Sequence, residues 1–119
     1  MWLFAQSTGL LFHDADQIGT GYSGAPEARN DYTKQGVHNF GPIPRGLYTI
    51  GDPTDTPTHG PYVLPLEPDP ENEMFGRSGF LIHGDAIEHP GCASHGCIIM
   101  PRAVRERVHA SGDRRLQVI

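Results

Sequence analysis

Cysteine and lysine are nearly missing from this chain: two Cys, Cys92 and Cys97, and one Lys, Lys34, among 119 residues. Two thiols close at most one small loop, so no disulfide framework holds the fold. A single lysine and a formal charge of −5 at pH 7 argue against nucleic-acid binding, which needs a basic stripe. The arginines gather late, at Arg77, Arg102, Arg105, Arg107, Arg114 and Arg115, which suffices for a local anion site. Long apolar runs are also missing. The start, Met1-Trp2-Leu3-Phe4-Ala5-Gln6, carries no basic residue before Arg29, so neither a secretory signal nor a membrane span of about 20 residues is expected. The chain reads as soluble and made in the cytoplasm, and any work outside it requires another carrier.

Glycine and proline, by contrast, are plentiful, at 15 and 11 residues. That density of turn-formers points away from a helical bundle and toward short strands joined by shaped loops. A length of 119 residues fits one domain, 1–119, of mainly β (α+β) class. Trp2–Gln6 and Leu10–His13 read as a hairpin. Gln17–Gly24 follows, its three glycines marking a strand that another backbone or a ligand passes closely. Ala25–Asn39 reads as a long surface loop. Leu47–Ile50 alternates as a strand, and a Pro- and Thr-rich loop runs to Pro61. Tyr62–Leu66 is strand-like, with Pro65 demoting it to an edge or a bulge. Glu67–Asn72 reads as an acidic loop, and Gly79–Gly84 is the strongest β-forming run, expected as a central strand. One helix follows Cys97. Met100, Val104 and Val108 form its apolar stripe, Arg102, Arg105, Glu106 and Arg107 face water, Pro101 suits its first turn and Gly112 its stop. Arg115–Ile119 closes the chain as a strand.

Chemistry concentrates between that central strand and that helix. Residues 83–100 hold His83, His89, His95 and both cysteines. A thiol at a helix mouth meets unpaired N–H groups and the positive end of the dipole, which favours the nucleophilic thiolate. Gly96 before Cys97 permits a tight turn, and the N–H groups of Gly96 and Cys97 are candidates for an oxyanion hole. His83, fourteen positions upstream at the end of a strand, is the candidate base.

Gly41-Pro-Ile-Pro-Arg-Gly-Leu-Tyr48, Phe80-Leu-Ile-His83-Gly84 and Ser94-His95-Gly96-Cys97-Ile98-Ile-Met100 together resemble the L,D-transpeptidase (YkuD-type) catalytic domain. Asn72-Glu-Met-Phe-Gly-Arg77-Ser-Gly and Ala110-Ser-Gly-Asp113 are similar to its compact Tlde1-like subgroup (DUF2778), antibacterial effectors of type VI secretion systems. The resemblance implies a small β-sandwich with one short helix after the catalytic cysteine. It implies action on peptidoglycan stem peptides through a Cys thioester, by L,D-carboxypeptidase cleavage or D-amino-acid exchange, without cofactor or metal. By position, Cys97 matches the nucleophile, His83 the general base and Gly84 the carbonyl that orients it, within the Ser94-His95-Gly96 turn. It further implies an immunity protein, a secretion-apparatus carrier and action in the periplasm of a target bacterium. Ile99 stands where most of the family carries Arg, so Arg77 or Arg102 is expected to bind substrate carboxylate.

Other readings of the same residues stand beside this one. Tyr22 and Tyr48 line the substrate groove or belong to the core, and Arg102 binds substrate or faces water. His13, His38, His59 and His109 carry no pattern and read as surface. Cys92 is a second thiol in a loop. His83, His89, Cys92 and Cys97 supply four zinc-type ligands in an unusual spacing, and a non-catalytic cell-wall-binding domain fits the same scaffold.

Overall fold

The N-terminal residues build a three-stranded meander, β1 (Trp2–Ala5), β2 (Leu10–His13) and β3 (Asp16–Thr20). The computed structural model describes all residues, 1–119. The β2–β3 turn is two residues long, and Asp14 and Ala15 both take positive φ, as the tightest hairpins require. The last strand, β10 (Arg115–Val118), then lies parallel to β1 and antiparallel to β5 (Gly46–Ile50). Next to β5 comes β7 (Gly60–Pro68), then β8 (Leu81–His83), β9 (Ile98–Ile99) and β4 (Tyr22–Ser23). β6 (Thr54–Thr56) pairs only with the start of β7.

Only Gly21 separates β3 at one end of this path from β4 at the other. The sheet therefore doubles back into two layers, a mainly β sandwich with one short helix, α1 (Arg102–Ala110). Between the layers lie Trp2, Phe4, Leu11, Tyr48, Leu64, Ile82, Ile98 and Leu116, each essentially sealed from solvent. Gly21 is the seam. Its N–H donates to Gly9 O at 2.8 Å, and a Cβ there would sit 1.7 Å from Ile99 O. The close backbone approach expected of this glycine-rich strand is thus present.

Several expectations are corrected. The loop expected between Pro53 and Pro61 contains β6, a strand of Thr and Asp with no apolar alternation to announce it. β7 is interior rather than an edge, paired with β5, β6 and β8. Pro65 is tolerated because it sits where β7 changes partner from β6 to β5, and its carbonyl accepts from Gly51 N. Helix α1 begins four residues later than a Cys97 cap would need, because β9, Met100 and Pro101 intervene. Pro101 is its N-cap residue, not part of its first turn, while Gly112 at φ +73° ends it as expected. Met100 and Val108 are buried and Val104 packs on the core, so the apolar stripe is real. Arg105, expected to face water, is buried. No helix is long and apolar enough to cross a membrane.

Candidate active site

β8 and β9 are neighbours and parallel, so the chain must cross over between them, and residues 84–97 make that crossing as a loop. Its far end is fixed by serine hydroxyls. Ser94 Oγ accepts from Gly24 N (2.9 Å) and Gly96 N (3.0 Å) and donates to Cys97 O (2.6 Å). Ser23 Oγ accepts from Ile43 N and donates to Gly96 O at 2.7 Å. Gly96 itself has φ +146°, and a Cβ there would lie 2.5 Å from Arg77 Nη2 and 2.9 Å from the Phe80 ring. Gly96→Ala is expected to lower stability by about 2 kcal/mol or more, read as a fall in the urea midpoint; an unchanged midpoint contradicts the strain.

The near end is held by Asp85. Its carboxylate accepts from Tyr22 OH at 2.5 Å and from the N–H groups of Ala86 and Gly91. Tyr22 OH in turn accepts from Ala93 N, and burial with the Asp85 contact pushes its phenol up to about 12. Tyr22 is therefore a buried anchor of the crossing loop. Tyr48 is fully buried in the core, its OH donating to Pro44 O, and burial pushes its phenol up. Neither tyrosine lines a cavity at the site.

His83 is buried at the end of β8, and its Nδ1 lies 2.8 Å from Gly84 O. A carbonyl only accepts, so Nδ1 carries the proton and Nε2 presents its lone pair. Burial foremost lowers the His83 pKa; the Gly84 carbonyl opposes this, and the charges of His59 and Arg105 add to it. The neutral imidazole, a base, is the favoured form. Cys97 immediately precedes β9. The register pairs His83 with Ile99 and Ile82 with Ile98, which puts Cys97 beside Leu81. Alternation then sends the Cys97 and His83 side chains to the same face of the sheet, opposite to the buried Ile82 and Ile98, with Cα atoms about 8 Å apart. The only side-chain hydrogen bond of His83 is to Gly84, and Cys97 Sγ meets the Leu81 backbone instead.

Two expectations about Cys97 are corrected here. The thiol is not at a helix mouth, and burial raises its pKa, opposed by the Leu81 hydrogen bond and by Arg77. The Gly96 N–H is committed to Ser94 Oγ, which leaves the Cys97 N–H, without a partner in the chain, as the free donor at the turn.

Two cavities meet at this pair. One, about 360 Å³, is lined by Cys97, His38, His59, Arg77, His95 and their neighbours. The other, about 730 Å³, is lined by His83, Gly84, Glu88, Arg105 and again His59 and His95. The shared walls are therefore two imidazoles, and the His59 ring packs against His83 with centroids 4.7 Å apart. Arg77 lies below the first cavity with its donors largely spent. Nη1 bonds Gln35 O and Pro42 O, Nη2 bonds Gly41 O and His95 O, and the guanidinium lies over the Phe80 ring. Arg102 is exposed on the outer side of α1, paired with Glu106 at 3.6 Å and over Tyr62, away from both cavities. Neither arginine is thus placed as the expected carboxylate anchor.

The zinc reading also lacks its geometry. His83, His89, Cys92 and Cys97 are not gathered; the one group of three ligand-type atoms within 4.8 Å of one another is His13, Asp14 and Asp113. Sequence reasoning missed His59, which carries no local signal on its short polar hairpin. It also missed Arg105, although that residue lies three before Val108 and so borders the apolar stripe. Comparison with curated proteins returns no match. The family model for the Tlde1 domain matches residues 17–118, from β3 through β10, and so takes in every residue of the site. The chain belongs to the Tlde1 domain family.

Proposed function

We propose that this chain is a peptidoglycan-acting cysteine enzyme of L,D-transpeptidase type. The observation that carries the reading is the His83 imidazole, fixed by the Gly84 carbonyl with Nε2 unpaired, on the same sheet face as the Cys97 thiol. At rest the thiol and imidazole are both neutral, since burial disfavours charge on each. When a stem tetrapeptide binds, His83 Nε2 takes the thiol proton as Sγ adds to the carbonyl of the third residue, the diaminopimelate. The Cys97 N–H stabilises the oxyanion. His83 then passes its proton to the departing amine, D-alanine leaves and a thioester remains on Cys97. Water completes trimming, or a free D-amino acid completes exchange.

Either product removes the tetrapeptide donors that cross-linking enzymes use, which makes the activity toxic in a periplasm. Family membership supports the same reading, with delivery by a type VI apparatus and neutralisation by an immunity protein. The test uses purified disaccharide tetrapeptide with the wild-type protein, Cys97→Ala and His83→Ala. D-Alanine is expected from the wild type alone, with incorporation of labelled D-alanine when it is supplied. Release that persists in both variants overturns the assignment.

A further inference from the structure

Arg105 is a buried cation without an ion-pair partner. It is 6% exposed, and no carboxylate of the chain lies within 4.0 Å of its guanidinium. Three backbone carbonyls hold part of it: Nε donates to Met100 O, and Nη1 donates to Pro61 O and Tyr62 O. Nη2 has no hydrogen-bond partner, yet it is not among the enclosed atoms left unsatisfied, of which Gln6 Oε1 is the only one. It therefore opens toward the larger cavity, whose wall Arg105 shares with His83 and Gly84. The absence of a side chain at Gly84 keeps that opening clear, because a Cβ there would sit 2.9 Å from Nη2. A desolvated guanidinium with one free donor nitrogen and no carboxylate paired to it favours an incoming anion.

The same cavity offers a place for an amine. His83 Nε2 is the base on its wall, and Glu88 adds an exposed carboxylate. Asp85 also lines it but is occupied with Tyr22 and its own loop. The smaller cavity, where Cys97 lies, has no carboxylate in its lining. We infer that Arg105 Nη2 anchors the carboxylate of an α-amino acid seated in the larger cavity with its nitrogen at His83. The smaller cavity is left to the acyl side. The inference rests on the proposed acyl transfer at Cys97 and specifies the leaving and entering group as an amine next to a free carboxylate. In the forward step the C–S bond forms, the C–N bond breaks, and the amine leaves with the proton His83 took from the thiol. In the return step a neutral amine adds to the thioester, the C–N bond forms and the C–S bond breaks. His83 accepts the amine proton and returns it to sulfur.

The test compares two tetrapeptides that differ only at the end, one closing in D-alanine and the other in D-alaninamide, with release of the terminal group measured in each case. Wild type is expected to process the amide with kcat/KM at least about tenfold lower, the worth of one charge-assisted hydrogen bond. Arg105→Gln is expected to bring the two substrates within about threefold by slowing the acid. Equal use of both by wild type overturns the Arg105 anchor and leaves the Cys97 chemistry standing. Release of neither overturns the Cys97 reading, and the anchor with it. The wild-type comparison does not depend on the variant folding.

Discussion

Cys97→Ala is expected to lower D-alanine release about 10⁴-fold, the loss that follows removal of a nucleophile, while stability falls by no more than about 1 kcal/mol. The thiol is not the piece that holds its turn together. Ser94 and Ser23 bond the backbone at Gly96 and Cys97, and those bonds survive the substitution. Activity and fold are thus separable at this position, and a parallel urea titration shows it. The charge state of the resting pair has its own signature. Burial raises the Cys97 pKa and lowers that of His83, so the neutral pair persists from below the ordinary imidazole range to above the ordinary thiol range. As pH falls through the lowered His83 value the base becomes protonated and activity is lost. In a Cys92→Ser background, alkylation of Cys97 by iodoacetamide is expected to accelerate with pH and to reach half its limit above the usual thiol range. A rate already at its plateau at about pH 6 signals a preformed thiolate–imidazolium pair and contradicts the neutral resting state.

Arg77→Met is expected to destabilise the chain by about 3 kcal/mol or more, a large part of the about 5–15 kcal/mol that holds a domain of this kind folded. The guanidinium ties the carbonyls of Gln35, Gly41 and Pro42 to that of His95, so it pins the long loop before β5 against the turn that carries Cys97. Methionine fills much of the space and satisfies none of those acceptors. Arg77→Lys is expected to recover less than half of the loss, because a single ammonium cannot span a fork of four carbonyls. Trp2, the sole tryptophan and 1% exposed, reports unfolding by fluorescence in urea. A midpoint equal to wild type in Arg77→Met assigns the arginine to binding rather than to structure.

Much of this architecture was legible from local pattern. Alternation marked β5, apolar β-forming runs marked β1, β2 and β8, Leu116 and Val118 on one face marked β10, and the Met100, Val104, Val108 spacing marked the helix. The juxtaposition of His83 with the Cys97 turn was legible as an order of motifs, because a strand that ends in His-Gly and a turn that ends in Gly-Cys bracket one crossing loop. What escaped were features decided at long range. Arg77, Arg102 and Arg105 look alike in sequence, and only packing shows which spends its donors on carbonyls, which faces solvent and which keeps one donor free. The pKa of Cys97 went the other way from expectation for a related reason: two residues of β9 displaced the helix from the thiol, and burial became the dominant influence. His59 reaches His83 through the β6–β7 hairpin, a contact across 24 positions that no local spacing encodes.

The place of β10 bears on how the chain is made. This strand is the only bridge between the β3-β2-β1 half of the sheet and the β5-β7-β8-β9-β4 half. While residues 115–118 are still inside the ribosome, the two halves have no common strand and the nascent polypeptide cannot close its core. Closure of the core therefore waits until residues 115–118 have emerged, and a chain cut before Arg115 lacks the strand that joins the two halves.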